Sequence, residues 1–457
     1  MVCQKGRIRM ISRKIWKELQ NFRSKNGTEA LLVDGARQVG KTYIVRQFAE
    51  RHYKSFIELN FIKNPAAKTL FEGVWDEKEF FVKLSALTEQ PLISGETLVF
   101  FDEVQDCPEV VTYIKFLVDD GRFHYVLSGS LLGVELKDVR SAPVGYLREV
   151  KMFPLDFEEF ARAVGLKDEI LSYVREHVEK AETIDALVHE KMMKVFRLYL
   201  VVGGMPAAVR AYLDTQSIQD VVREQKSILV EYRKDATRYD EQEKMRILRV
   251  MELLPSELNR ENKRFFASDI KKGEKFDRVE DNFLWLAKAG IALPVYNVDL
   301  PRIPLELAKK ANLLKLFMND VGLLAAQYMD GIQLELLNGR IDINFGAVFE
   351  NFVAQELTAH GYEHLYYFNS KKHGEVDFIV ERGGAALPIE VKSGSDYKSH
   401  TALDNMMSVS DYGLSRAVVY SAHNEIEDGP VAYFPIYALM LLEHDSLPDG
   451  SVYRLEL

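Results

Sequence analysis

The sequence predicts an α/β fold, and three observations carry the prediction. Short apolar runs alternate with amphipathic stretches over roughly the first 150 residues, the pattern of strands and helices in a parallel sheet covered on both faces. A glycine-bearing turn joins the first of these runs, Ala30-Leu31-Leu32-Val33, to an amphipathic stretch that starts at Tyr43. After a long helical middle, strand signals return from about residue 315.

The leading element, residues 11–26, has the periodicity of an amphipathic helix. The turn that follows the first apolar run reads Gly35-Ala36-Arg37-Gln38-Val39-Gly40-Lys41-Thr42, the spacing G-x-x-x-x-G-K-[ST] of a phosphate-binding loop. Its glycines let backbone N–H groups turn toward phosphate oxygens, and the N-terminus of the next helix adds a positive field. Lys41 is placed to reach the β- and γ-phosphates and Thr42 to ligate Mg²⁺, so ATP with Mg²⁺ is the expected cofactor pair. Chance yields this pattern in roughly one or two chains per hundred of this length.

The run Thr97-Leu98-Val99-Phe100-Phe101 reads as a strand buried on both faces, and it ends in Asp102-Glu103. Two carboxylates there divide the labour of a hydrolytic site: Asp102 for the Mg²⁺ shell, Glu103 to orient or deprotonate water. A third strand, Tyr125-Val126-Leu127, leads into Ser128-Gly129-Ser130, which places Ser128 as a γ-phosphate sensor; the same tripeptide is also a common turn.

At 457 residues the chain exceeds one core, and about three domains are expected. Apolar residues at 47% and charged residues at 28% mark a globular chain. No run approaches the roughly 18 apolar residues of a membrane span, and no apolar segment follows the basic N-terminus, so no membrane contact and a cytoplasmic location are expected. Cys3 and Cys107 give neither a disulfide nor a zinc framework. A net charge of −10 supplies no overall field toward nucleic acid. The segment 260–278 is locally net +3, with Arg260, Lys263, Arg264, Lys271, Lys272, Lys275 and Arg278 against four acidic residues; a solvated face explains it equally well.

Residues 1–152 are therefore assigned to the nucleotide domain. From Phe153-Pro154-Leu155 the periodicity becomes helix after helix, broken at Gly203-Gly204-Met205-Pro206, giving a helical lid over 153–239. Residues 240–314 suggest two or three helices and then a β-wing at Gly290-Ile291-Ala292-Leu293-Pro294-Val295-Tyr296, a winged-helix-like region. Residues 315–457 return to mixed α/β. A helix over 345–361 precedes three strands, Leu365-Tyr366-Tyr367-Phe368, Glu375-Val376-Asp377-Phe378-Ile379-Val380 and Leu387-Pro388-Ile389-Glu390-Val391-Lys392, the last two joined at Gly383-Gly384.

Alternation puts Glu375 and Asp377 on one face and Glu390 and Lys392 on one face. An Asp, then Glu-x-Lys on the neighbouring strand, with Glu350 on the helix before, is the layout of a PD-(D/E)xK nuclease core. Asp377 and Glu390 would hold a divalent metal, Lys392 would activate water, and Glu350 would be an outer ligand. An amphipathic hairpin with charges on alternate positions produces the same pattern without catalysis.

With both ends read, the chain resembles, essentially end to end, a bacterial and archaeal family of P-loop ATPases of the AAA+/STAND kind, in which an archaeal-ATPase-like domain is joined to a C-terminal region of unknown function. The matching segments are residues 35–42, Phe101-Asp102-Glu103-Val104-Gln105, Ser128-Gly129-Ser130-Leu131-Leu132, Phe153-Pro154-Leu155 onward to Phe160, the Gly203–Pro206 turn, Glu375-Val376-Asp377-Phe378, and Ile389-Glu390-Val391-Lys392-Ser393-Gly394. The resemblance implies ATP binding, a lid whose GG-x-P turn (Gly204, Pro206) approaches the nucleotide, a winged helix, and a restriction-endonuclease-like C-terminal fold. Where relatives carry a Gly-Arg pair after the sensor strand, this chain reads Gly145-Tyr146-Leu147-Arg148, leaving Arg148 and Arg122 as arginine-finger candidates.

The expected function is an ATPase whose nucleotide state controls its C-terminal domain. The alternatives are a nucleotide-switched regulator that only binds a DNA or protein partner, and an ATP-gated metal-dependent DNA nuclease.

Overall fold

Alternate residues of the run 97–101 enter two different cores in the computed structural model, which describes residues 11–25, 27–73, 76–130, 145–236, 241–260, 263–265, 270, 276, 279–339 and 345–445. The run is strand β3 (Thr97–Asp102), buried throughout. With β1 (Ala30–Asp34), β2 (Ser55–Asn60), β4 (His124–Ser128) and β5 (Leu147–Lys151) it forms a five-stranded, all-parallel sheet ordered β2-β3-β4-β1-β5.

Val99 and Phe101 face one side, where Phe61, Phe101 and Tyr125 stack at 6.2 Å centroid spacing and α3 (Glu77–Leu87) and α4 (Glu109–Asp120) close the layer. Leu98 and Phe100 face the other side, with α1 (Ile15–Ser24) and α2 (Lys41–His52). That second core does not stop at the nucleotide domain: it continues through the helical middle into the C-terminal sheet, with Phe157, Phe196, Tyr199 and Phe352 packed edge to face.

The helical middle comprises α5 (Phe157–Ala163), α6 (Asp168–Glu179), α7 (Ala186–Val202), α8 (Pro206–Thr215), α9 (Ile218–Asp235), α10 (Glu241–Leu258) and α11 (Glu280–Lys288). Asp156 and Glu159 form a reciprocal capping box at the start of α5, which is why helix begins just after Phe153-Pro154-Leu155. At Gly203-Gly204-Met205 the axes of α7 and α8 turn by 119°, and Pro206 occupies the first turn of α8, where its missing N–H costs nothing. Among the described residues no single helix is long and apolar enough to cross a membrane.

The expected wing is a correction. Residues 290–296 lead into β6 (Ala292–Val298), which pairs antiparallel with β7 (Lys309–Met318) as a wing hairpin would, but its other edge pairs in parallel with β8 (Leu365–Ser370). The hairpin is therefore not a separate module: it is continuous with a seven-stranded mixed sheet, β12-β11-β10-β9-β8-β6-β7, with β7 at its edge, and a boundary at 314/315 would cut β7. The three strands expected after the long helix are present, and two more extend the sheet. β9 (Gly374–Arg382) and β10 (Ala385–Lys392) form the antiparallel hairpin about Gly383-Gly384, β11 (Ala417–Ser421) and β12 (Val431–Pro435) add in parallel, and the long helix (Gly346–Ala359) lies buried against the sheet. Two short helices, Val321–Ala325 and Ile332–Asn338, link β7 to that helix and are α12 and α13; the long helix is α14. Most of the basic segment 260–278 lies outside the described residues.

Candidate nucleotide site

The phosphate loop takes its shape from a few residues that tolerate left-handed backbone. Gly40 has φ +99° and Gln38 φ +67°, and a Cβ on Gly35 would lie 2.1 Å from the Met152 carbonyl oxygen. Gly40 caps α2 without a side-chain acceptor, so the first N–H groups of a twelve-residue helix are free to meet an anion. Lys41 is buried, and its Nζ donates to the carbonyls of Gly35 (2.7 Å) and Ala36 (2.9 Å). Burial pushes its pKa down to about 8, against the opposing pull of Asp34, Glu103 and Asp102.

Asp102 stands at the centre of the acidic end. It accepts from Thr42 Oγ1 (3.1 Å), Ser128 Oγ (2.5 Å) and Asn60 Nδ2 (2.9 Å). Thr42 and Asp102 thus present hard oxygens side by side, a donor set that fits Mg²⁺. Ser128, expected as a sensor, donates its buried hydroxyl to Asp102 and so holds that carboxylate in the nucleotide-free protein. Asn60 was not legible as a site residue; one Asn at a strand end has no spacing signal, and only the adjacency of β2 and β3 brings it to Asp102. Its Oδ1 also accepts the N–H groups of Ile62 and Lys63, which locks the amide's orientation.

Glu103 sits in left-handed backbone (φ +58°, ψ +49°), a conformation that costs a non-glycine residue free energy and points its side chain out of line with β3. Gln105 Nε2 (2.5 Å) and Ser130 Oγ (3.4 Å) donate to its Oε2.

Around this centre, Arg13 bonds Val39 O (3.1 Å), Phe153 O (2.6 Å) and Glu159 (3.0 Å), tying the N-terminal segment and the start of α5 to the loop. Arg37 is taken up by Asp235 at the end of α9 (2.5 Å). The GG-x-P turn divides in two. Pro206 faces the loop, its Cγ 3.5 Å from a Cβ placed on Gly40. Gly204 does not: its N–H donates to Asp320 (2.5 Å), its carbonyl accepts from Leu155 N (2.8 Å), and a Cβ there would lie 2.0 Å from Leu155 O. The glycine is required by Leu155, and its backbone groups are not available to a nucleotide.

Both arginine candidates are ion-paired within the chain. Arg148 pairs with Glu18 (2.6 Å) and Glu29 (2.7 Å), and Arg122 with Asp120 (2.7 Å) and Glu77 (3.2 Å). A cavity of about 820 Å³ opens behind Gly35 and Ala36, lined by Met152, Lys288, Leu293 and Tyr362. Lys41, Thr42, Asp102 and Glu103 do not line it, so it is not the hydrolytic side of the loop.

In the C-terminal sheet, Glu350, Asp377, Glu390 and Lys392 do gather, Lys392 lying 2.9 Å from Glu390 and Asp377 feeling the charges of Glu350 and Glu390. Two lysines not anticipated from the hairpin pattern join them. Lys263 contacts Glu350, and Lys315, with no exposed surface, lies 2.6 Å from Glu375 and 4.0 Å from Glu350.

Comparison with known proteins gives three family models: an AAA domain over residues 27–161, a domain of unknown function (DUF8612) over 193–334, and a domain of unknown function (DUF4143) over 345–439. No curated protein matches the chain. Solved structures with similarity include the Walker-type ATPase PABY2304 of Pyrococcus abyssi, with 16% identity, 71% of this chain and 98% of that chain covered, and a TM-score of 0.42. The Aeropyrum pernix ORC1 protein in complex with DNA has 13% identity, coverage of 71% and 95%, and a TM-score of 0.29. The Thermotoga maritima RuvB Holliday junction branch migration motor has 16% identity, coverage of 62% and 89%, and a TM-score of 0.28.

Proposed function

With residues 27–161 an AAA-type P-loop ATPase domain, we propose that the chain binds ATP with Mg²⁺, hydrolyses it, and uses nucleotide state to set the position of its C-terminal sheet. In this reading Lys41 leaves the Gly35 and Ala36 carbonyls for the β- and γ-phosphates, Thr42 and Asp102 hold Mg²⁺, and Glu103 orients water. Bound Mg²⁺ supplies charge neutralisation on the phosphates. Asn60 and Ser128 keep Asp102 aimed, and Gln105 does the same for Glu103.

The observation that carries the control step is that two routes, one hydrogen-bonded and one through the facing Pro206, lead from the phosphate loop to neighbouring residues just after β7. By one, Tyr232 donates to Arg37 O (3.3 Å) and Asn319 Nδ2 donates to Tyr232 (3.2 Å). By the other, Pro206 faces Gly40, its Cγ 3.5 Å from where a Cβ on that glycine would stand, and Gly204, two residues earlier, donates to Asp320. Asp320 also caps α12 through Leu323 N (3.0 Å), and Gln355 and Asn351 of α14 bond Val321 N and both backbone groups of Met318. A loop that rearranges around phosphate therefore pulls on the strand that edges the C-terminal sheet.

Hydrogen exchange tests this. Adding a non-hydrolysable ATP analogue should change protection at residues 316–325 as well as 35–42, and ADP should change it differently. Protection confined to the loop would leave an ATPase without the proposed coupling.

A further inference from the structure

We infer that the carboxylate cluster of the C-terminal sheet is closed by the chain's own ammonium groups, with Lys263 and Lys315 standing where a divalent cation would have to sit, so that a nuclease-like layout carries no metal site. This goes beyond the proposed ATPase function and does not depend on it.

A divalent cation at this place needs ionised carboxylate oxygens converging on one point at about 2.0–2.6 Å. One oxygen of each candidate donor is already held by a partner from the chain itself. Asp377 Oδ2 accepts the Val391 N–H (2.9 Å), standing in for a ladder bond where β9 and β10 lose register beyond the Ile389–Phe378 pair. Glu390 Oε1 pairs with Lys392, Glu350 Oε1 with Lys263, and Glu375 Oε1 with Lys315. Among the described residues no three His, Cys, Asp or Glu side chains form a metal-ligating set.

Lys315 decides between the readings. It lies in the apolar half of β7, fully buried, with its Nζ 4.8 Å from the centroid of the Tyr367 ring. Its Nζ lies 2.6 Å from Glu375 and 4.0 Å from Glu350, and the Lys263 ammonium contacts the other oxygen of Glu350. A buried ammonium this close repels a divalent ion and already supplies the charge that ion would bring. Four carboxylates (Glu350, Glu375, Asp377, Glu390) face three ammonium groups (Lys263, Lys315, Lys392). The one charge left over matches the two carboxylate oxygens, Glu350 Oε2 and Glu390 Oε2, that have no hydrogen-bond donor.

The test is uptake of Mn²⁺ by the nucleotide-free full chain, followed by electron paramagnetic resonance of the free ion. Asp102→Asn serves as the background that removes the phosphate-loop contribution. No saturable site should appear into the millimolar range. Adding Lys263→Ala, whose side chain is 19% exposed and therefore replaceable, should uncover one, with affinity raised about tenfold or more. A saturable site in the Lys263-intact protein that Asp377→Asn abolishes would overturn the inference. So would a folded Lys263→Ala protein, by circular dichroism, with unchanged Mn²⁺ uptake.

Discussion

Lys41 makes a prediction that can be worked from its surroundings. Its ammonium is buried against two backbone carbonyls, and burial outweighs three nearby carboxylates to bring the pKa from 10.5 to about 8. Phosphate binding requires the cation, so the bound state holds the proton more tightly than the free state. At pH 7 the free protein already carries it; at pH 9 roughly nine-tenths of the free protein does not. Binding a non-hydrolysable ATP analogue at pH 9 should therefore take up close to one proton and be about tenfold weaker, ~1.4 kcal/mol, than at pH 7. Calorimetry in two buffers of different ionisation enthalpy reads both quantities at once. The same shift works on stability with a definite sign. Because the folded pKa is depressed, the unfolded chain binds more protons between pH 8 and 10.5, so holding Lys41 charged costs about 3 kcal/mol below pH 8, a cost that disappears as pH rises to 10.5. Lys41→Met should then abolish ATP binding while raising the melting temperature of the nucleotide-free protein. Buffer-independent heats at pH 9, or a Lys41→Met protein that binds ATP as wild type does, would refute the reasoning.

Asn60→Ala removes a charge-assisted bond to Asp102, about 1.5–3 kcal/mol, and should raise the Mg²⁺ concentration for half-maximal phosphate release by roughly ten- to a hundredfold; an unchanged Mg²⁺ titration would make Asn60 a loop brace only. Gly204→Ala drives a Cβ to 2.0 Å from Leu155 O and should lower the melting temperature by several degrees, whereas Gly383→Ala, with open space around it and φ +60°, should cost only about 1–2 kcal/mol of backbone strain; equal losses in a thermal scan would contradict the close approach. Arg148→Ala breaks pairs to Glu18 and Glu29 within its own chain and should leave turnover within about twofold, its effect limited to ~1 kcal/mol of stability; a hundredfold loss of turnover would make it a finger after all.

What could be read from the sequence is what local backbone chemistry dictates. The phosphate loop, the buried β3 ending in Asp102-Glu103, and the β9–β10 hairpin each carry their signal within about twenty contiguous residues. What escaped is non-local. The strand Ala292–Val298 looks like a wing until its parallel partner, Leu365–Ser370, is seen. Gly204 reads as a ligand-approach glycine because Leu155 and Asp320, its actual partners, are distant in sequence. The bond from Ser128 to Asp102 was not legible either, since it depends on β4 lying next to β3 in the sheet. Lys315 did leave a trace: a lysine inside Leu313-Leu314-Lys315-Leu316-Phe317-Met318 can be buried only if carboxylates meet it, and the E-V-D strand was already in view.

The central claim, that this loop and these carboxylates form an ATP-hydrolysing centre, is tested most directly by phosphate release from Mg²⁺–ATP by wild type and Glu103→Gln under single-turnover conditions. Glu103→Gln keeps the shape and a hydrogen-bond acceptor but cannot take a proton. The account predicts ATP binding retained within a few-fold and phosphate release slowed by roughly a hundredfold to ten-thousandfold. Equal rates in the two proteins, or no release by wild type above the Lys41→Ala control, would contradict it.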